Sequence, residues 1–381
     1  MTERARAVEL LRRIEREACY AAPLLRDESG FVRTLVLGAL RWRSLLDYAI
    51  AAHAKRKVDA GLVDVLRVGA YQLLFTDVAP YAAVAETVDL APKYARGFVN
   101  AVLRRVAEKG LPDPRDLATR TAHPAWLVER WVRAYGTDRA AAIAAANQEL
   151  SYPDVLALAG AAPPGGVASQ LVDGIWKVRE STSDLDRTAF WPMDEGSAAI
   201  AAIAANAGGE VLDLAAAPGS KSLYIAWRGV PVVSNDVSIS RLTPLARRGR
   251  IVVSDGRQPP FARPFAVVLL DAPCSATGTI RKNPELKWRL READLAGFAA
   301  LQRDLLTSAL ALARGVCIYA TCSLEPEEND AVVKAVGAER LDIAQYSPPR
   351  VSRWIDGGVL RLTPESGADG FTAFALRGRA G

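Results

Sequence analysis

From residue 195 onward the chain repeats one pattern: a short β-branched apolar run, a polar residue closing it, then a stretch with helical spacing. The runs at 211–214, 230–234, 251–254, 265–270 and 316–319 are too short for buried helices and read as strands. Strands separated by helical crossovers return in the same direction, so they build a parallel sheet covered by helices on both faces. Two further runs, 359–363 and 371–376, are joined by a connection too short for a crossover and are expected to form an antiparallel hairpin at the end of the sheet. In such a sheet ligands bind beyond the carboxyl ends of the strands, so the residues that close each run are the ones to examine.

Two of those closing segments carry a cysteine. Cys274 stands in Asp271-Ala272-Pro273-Cys274-Ser275 and Cys322 in Tyr319-Ala320-Thr321-Cys322-Ser323, so two strands of one sheet aim two thiols at one crevice. A free cysteine is usually a small buried hydrophobe. The polar neighbours of these two favour chemistry, whereas Cys19 and Cys317 fall on apolar helix and strand positions and are expected in the core. The other closing residues are acids: Asp213, Asp236, Asp255 and Asp271 are read as ending the first four strands in register. Between Asp213 and the next helix lie Ala215, Ala216, Ala217, Pro218, Gly219, Ser220 and Lys221, small residues that let the backbone approach a ligand. One glycine is not the GxGxxG pattern of dinucleotide folds, which argues against NAD. An acid about 20 residues beyond such a loop commonly takes ribose hydroxyls. A nucleoside cofactor bearing a carboxylate fits, and S-adenosyl-L-methionine is the natural candidate.

The first 110 residues differ. Val8, Leu11, Ile14 and Ala18 recur at helical spacing amid Arg and Glu, and similar stripes at 31–46, 63–74, 83–90 and 98–106 predict a bundle of five or more short helices. Gly110-Leu111-Pro112-Asp113-Pro114 cannot continue a helix and serves as a linker. Helices are predicted at 126–135 and 139–146, and the Pro/Gly-rich region to 194 has no assignable fold. The domains are therefore 1–110, all helical; 111–194, a linker and transitional subdomain; and 195–381, the α/β domain that carries the two motif cysteines.

Charge sharpens this division. Residues 1–150 hold 23 Lys and Arg against 18 Asp and Glu, and residues 151–381 hold 25 against 25. The net +5 thus lies in the helical part, as expected of a part that touches a polyanion. With two histidines, His53 and His123, both outside the cysteine-bearing half, no metal site and no histidine triad are expected. His53 reads as an exposed helix residue, and Trp126, Trp131, Trp176 and Trp191 as packing residues. Four cysteines without framework spacing, charged residues where a signal peptide needs its apolar core, and no run of 18 apolar residues predict a reduced, cytoplasmic chain with no membrane partner.

These motifs resemble the RNA cytosine C5-methyltransferases of the Nol1/Nop2/Sun type. The family's DxCAAPGGKT loop matches Asp213 to Ser222, its DAPCS motif matches Asp271 to Ser275, and its TCS motif matches Thr321 to Ser323, followed by Glu325-Pro326-Glu327-Glu328-Asn329. The block with Gly278, Arg281, Pro284, Lys287 and Trp288 is similar to the bacterial branch that methylates 16S rRNA (RsmB, Sun or Fmu). Ala70-Tyr71-Gln72-Leu73-Leu74-Phe75 and Gly97-Phe98-Val99-Asn100-Ala101-Val102-Leu103-Arg104 resemble the NusB-type RNA-binding domain. Ala215 and Ser220 stand where the family usually has Cys and Gly, and the family's Arg near 153–158 is missing.

The resemblance implies a multidomain fold: an all-α NusB-like bundle, then an α/β Rossmann-like class I methyltransferase with a mostly parallel seven-stranded sheet. It implies methylation of cytosine C5 in RNA, most similar to the 16S rRNA enzymes, by a monomer. By resemblance Cys322 is the nucleophile, Cys274 assists product release, Asp271 holds the base edge and Lys221 assists. The cofactor contacts fall to the loop, Asp236, Asp255 and Asp271, and Arg281, Lys282, Lys287 and Arg289 are expected to contact phosphates. Alternatives are another RNA, tRNA or 23S rRNA; a DNA cytosine methyltransferase with Cys274 as attacker, which the second thiol motif disfavours; and a non-catalytic antitermination factor, which the retained thiols, Asp271 and Lys221 disfavour.

Overall fold

A computed structural model describes residues 1–178, 185–246 and 248–380. The chain forms two compact units, one of Met1–Glu149 with Lys282–Arg291, the other of Leu150–Arg281 with Glu292–Gly381.

The first unit is helical. Thr2 accepts the Ala5 N–H and so caps Glu3–Glu17, whose stripe of Ala7, Val8, Leu10, Leu11 and Ile14 is buried. Gly30–Arg41 begins at the Ser29 cap and crosses Ala60–Phe75 so closely that a Cβ on Gly38 would lie 1.9 Å from the Tyr71 ring. Pro80 opens its helix, Pro80–Val88, at a position that needs no N–H donor. Arg96–Lys109 ends at Gly110, with φ +67°, and the linker prolines follow. Ala125–Tyr135 and Thr137–Ala146 are the two helices predicted beyond it. His53 is buried, with its Nε2 3.0 Å from the Gly110 carbonyl oxygen, because the linker folds back over that helix end. Cys19 lies just past the first helix and packs half-buried against the core.

Segment Lys282–Arg291 belongs to this helical unit although it lies within the catalytic sequence. Lys287 Nζ donates to the Arg41 carbonyl at 2.9 Å and Trp288 Nε1 to the Leu40 carbonyl at 2.6 Å. These are the last carbonyls of Gly30–Arg41, which lack partners within their own helix. Lys287 is 1% exposed, Arg281 donates to the Gly367 carbonyl, and the Arg289 guanidinium lies over the Tyr20 ring. These three cations are therefore internal caps and packing groups, a correction to the phosphate contacts expected of them.

The second unit holds two sheets. Strands β1 (Asp154–Ala157), β2 (Gly166–Ala168), β3 (Ile175–Val178) and β4 (Phe190–Pro192) form an antiparallel sheet in the order β2-β3-β1-β4. The larger sheet contains β5 (Val211–Asp213), β6 (Val232–Asp236), β7 (Arg250–Val253), β8 (Phe265–Asp271), β9 (Ala313–Thr321), β10 (Arg340–Leu341), β11 (Ile355–Asp356), β12 (Val359–Leu362) and β13 (Phe371–Arg377). Its order is β11-β12-β13-β9-β8-β5-β6-β7, with β10 paired to β13. β5 to β9 run parallel, and the strands added after β9 pair antiparallel. The expected seven-stranded, mostly parallel sheet is thus a mixed sheet of nine, because β13 reverses against β9 and two two-residue strands are added, β11 on β12 and β10 on β13.

Alternate residues of each strand face opposite helix layers, as the two-residue period of a strand requires. Val267 and Leu269 pack with Glu195–Asn206 and Ser220–Trp227 on one side, and Val268 and Leu270 pack with Asp294–Leu312 on the other. Chain order reverses between β5 and β8, so the crevice opens beyond Asp213 and Asp271. Among the described residues no helix is long and apolar enough to cross a membrane.

Candidate active site

Asp213 ends β5 and is 1% exposed. Its Oδ2 accepts the Ser222 hydroxyl at 2.6 Å, and burial lifts its pKa to about 7 against that bond and the nearby Lys221 charge. The loop then passes Ala215, Ala216, Ala217 and Pro218 to Gly219, whose φ of +106° and whose missing Cβ, which would stand 2.2 Å from Leu245, both demand glycine. Ser220 starts the next helix and accepts the Trp191 indole N–H at 3.1 Å. Asp236 ends β6, where its two oxygens accept the N–H groups of Ala217 and Ser238, both at 3.0 Å. It thereby ties the loop to the second strand.

Asp255 does not end a strand. β7 stops at Val253, and the half-exposed Asp255 carboxylate binds the Arg257 guanidinium and N–H, which lowers its pKa to about 2. The four-acid register therefore reduces to three, and Asp255 forms a turn of the kind aspartate favours.

Asp271 ends β8 and its Oδ2 lies 2.6 Å from Lys221 Nζ, beneath which the Phe371 ring sits. Burial alone would lower the Lys221 pKa, but the charge and hydrogen bond of Asp271, with the nearby Asp213 and Cys322, raise its proton affinity overall. The parallel register places Asp271 beside Ala320 of β9, two residues before Cys322. Beyond those paired ends the two thiols meet, with Cys274 Sγ 3.4 Å from Cys322 Sγ. The contact with Cys322, burial, and the charges of Cys322, Glu328 and Asp271 push the Cys274 pKa well above that of a free thiol. Both cysteines remain half-buried rather than sealed.

Two buried carboxylate oxygens, Asp213 Oδ1 and Asp271 Oδ1, have no hydrogen-bond partner among the described residues. Buried acceptors are seldom left bare, so these fit the donors of a polar ligand. Asp213, Asp271, Lys221 and the small-residue loop thus converge at the parallel strand ends, whereas Asp255 pairs locally with Arg257.

Sequence reasoning gave no role to a second layer. Glu328, fully buried, accepts the Ser275 N–H at 2.8 Å, the Ser275 and Ser323 hydroxyls, and Gln302 Nε2 at 3.0 Å. Asn329 binds Thr321 Oγ1 at 2.6 Å and the Ser323 and Glu325 carbonyls. The signal for the first was available: Gln302 interrupts the apolar stripe of Asp294–Leu312 and is fully buried.

Residues 200–377 match the family of 16S rRNA methyltransferase RsmB/F, and residues 1–108 match the NusB family. The chain is 33% identical to ribosomal RNA small subunit methyltransferase B of Pseudomonas putida, covering 90% of this chain and 89% of that one. It is 31% identical to the protein of the same name from Sodalis glossinidius, with 84% of each covered. The crystal structure of PH0851 superposes with a TM-score of 0.75 at 24% identity, over 98% of both chains, which shows a shared fold. Sequence and fold agree from end to end: the chain belongs to the RsmB/F family, S-adenosylmethionine-dependent methyltransferases of rRNA, with a NusB-family domain at its N-terminus.

Proposed function

We propose that the protein methylates C5 of a cytosine in 16S rRNA through a covalent adduct between Cys322 and C6. The observation that carries this reading is the 3.4 Å approach of two thiols beyond adjacent parallel strands, beside an Asp271–Lys221 pair with one carboxylate oxygen left open. Cytosine C5 is a weak nucleophile, and adding a thiolate at C6 makes the C5–C6 bond single and leaves C4=C5 as an enamine that reacts at C5.

In this reading Cys322 Sγ forms the bond to C6, the displaced electron pair moves toward N3, and N3 takes a proton from solvent that it gives back when the ring is restored. Asp271, fixed by Lys221, accepts the N3–H and the amino N–H on its open Oδ1. Bound in the loop from Ala215 to Lys221 and by Asp236, S-adenosylmethionine supplies an electrophilic methyl group. Afterward Cys274, having passed its own proton to solvent, takes the C5 proton on Sγ, the C6–Sγ bond breaks, and its electron pair returns to Cys322. The contact with Cys322 and burial raise the proton affinity of Cys274, which suits its Sγ to taking a proton and supports giving the attack to Cys322. A base inside an RNA helix must be extruded at a cost of a few kcal/mol. The excess positive charge of the helical unit supports RNA binding that offsets this cost.

Incubating variants with labelled rRNA and S-adenosylmethionine, followed by a denaturing gel, tests the assignment. Cys322→Ser should give neither turnover nor adduct, and Cys274→Ser should accumulate a covalent protein–RNA complex. An adduct in Cys322→Ser and none in Cys274→Ser would exchange the two roles. Bisulfite sequencing of the product identifies the base.

A further inference from the structure

Ser275 follows Cys274, and Ser323 follows Cys322; both are held by one side chain. Glu328 Oε1 accepts the Ser275 N–H at 2.8 Å and Gln302 Nε2 at 3.0 Å, while Oε2 accepts both serine hydroxyls, Ser323 Oγ at 2.5 Å. The hydroxyls are themselves 3.0 Å apart. Four donors fill the acceptor capacity of an ionised carboxylate, so Glu328 has nothing left with which to touch a substrate. Its backbone is fixed as well, since the Tyr319 hydroxyl donates to its carbonyl at 2.6 Å, and Gln302 also donates to the Pro273 carbonyl at 2.8 Å. The serines it holds directly follow the two cysteines, and Gln302 donates to the carbonyl of Pro273, which directly precedes Cys274.

We infer that Glu328 is a positioning residue that sets the spacing of the two thiols by clamping both cysteine loops on one buried carboxylate. The inference rests on the two-thiol reading of the site and deepens it. Its charge has a second effect in the same direction: after the contact with Cys322, burial, and the Cys322 charge, it helps keep Cys274 protonated. A misplacement of about 1 Å between reacting groups costs on the order of 100-fold in rate. The clamp is therefore expected to act on turnover and not on binding.

Glu328→Ala should lower kcat about 100-fold while the KM for RNA and the calorimetric affinity for S-adenosylmethionine stay within about threefold. Glu328→Gln should recover most of the loss, because its amide oxygen still accepts from Ser275 and Gln302 and its NH2 can donate to the two hydroxyls. An aryl arsenoxide condenses with two adjacent thiols, releasing one water, and reports their spacing without RNA. It should bridge Cys274 and Cys322 in the wild type and in Glu328→Gln, and fail in Glu328→Ala. Should the alanine variant not fold, Glu328→Asp, one methylene shorter, serves in its place and should lose both bridging and kcat. A kcat within threefold of wild type in the alanine or aspartate variant, or a parallel loss of cofactor affinity, RNA affinity and kcat, would overturn the inference. Because bridging involves no RNA, its outcome is separate from that of the methylation reading.

Discussion

At the scale of single residues, Asp213 carries a consequence for stability. An aspartate in an unfolded chain ionises near pH 3.9, whereas burial holds Asp213 to about 7. Between those values the folded protein keeps a proton that the unfolded chain has released, so stability falls as pH rises and levels off above 7. Three pH units at about 1.4 kcal/mol each set an upper bound of about 4 kcal/mol. Asp213→Asn has no charge to bury, so its Tm should gain steadily on the wild type between about pH 4 and 7 and hold a constant difference above that; a constant difference across the whole range would contradict the assignment. The acid itself was legible in the sequence, as were Asp236, Asp271 and both thiols, because each closes a run whose strand character is local. Lys287, Arg289 and His53 were not. Their burial depends on partners far along the chain, such as the Arg41 carbonyl for Lys287, and nothing in the neighbouring residues announces them.

At the scale of elements, the same distinction separates the two sheets. The parallel strands and the hairpin of β12 and β13 were readable because their apolar runs are continuous and bounded by turns. β1 to β4 have three or four residues each, amid prolines and glycines, with β1 buried throughout and none of the four alternating, so no period emerges. Around the site the elements are joined by backbone alone at Gly278, in the short turn Thr277–Thr279. Its N–H donates to the Cys322 carbonyl at 2.9 Å and its carbonyl accepts the Gly370 N–H at 2.8 Å. A Cβ there would lie 2.3 Å from the Gly370 oxygen and 2.9 Å from the Cys322 oxygen, and neither backbone can yield without moving the Cys322 loop or the entry to β13. Gly278→Ala should therefore cost about 1 to 3 kcal/mol and reduce kcat. Gly297, inside Asp294–Leu312 with nothing within 4 Å, is the matched control. Gly297→Ala should gain about 0.5 to 1 kcal/mol, so thermal unfolding should move the two variants in opposite directions.

At the scale of the whole molecule, the sequence located an excess of positive charge in the helical part but could not say which cations are free to meet RNA. Pairing decides that. Arg6 bonds Glu9 and Glu28, Arg13 bonds Glu17, Arg43 bonds Glu15, and Arg67 bonds Asp47 and Asp64. Lys55, Arg56 and Lys57 are consecutive and exposed, and make no ion pair among the described residues. They rim a cavity of about 520 Å³ walled by Ile50, Ala54, Val58 and Val63, and Arg56 lies 4.6 Å over the Phe98 ring. A cut near Asp113 would deprive Lys287 and Trp288 of the carbonyls they cap, so a test of RNA presentation has to keep the chain whole. Replacing the three cations together with alanine does so. Each phosphate contact contributes about 0.7 to 0.9 to the slope of log affinity against log salt, so the slope should fall by about 2 to 3. Cofactor affinity and kcat at saturating RNA should not change, since none of the three lies in the catalytic unit. Fluorescence anisotropy of an rRNA fragment, titrated at several salt concentrations, measures the slope directly, and an unaltered slope would place the phosphate contacts on another face of the protein.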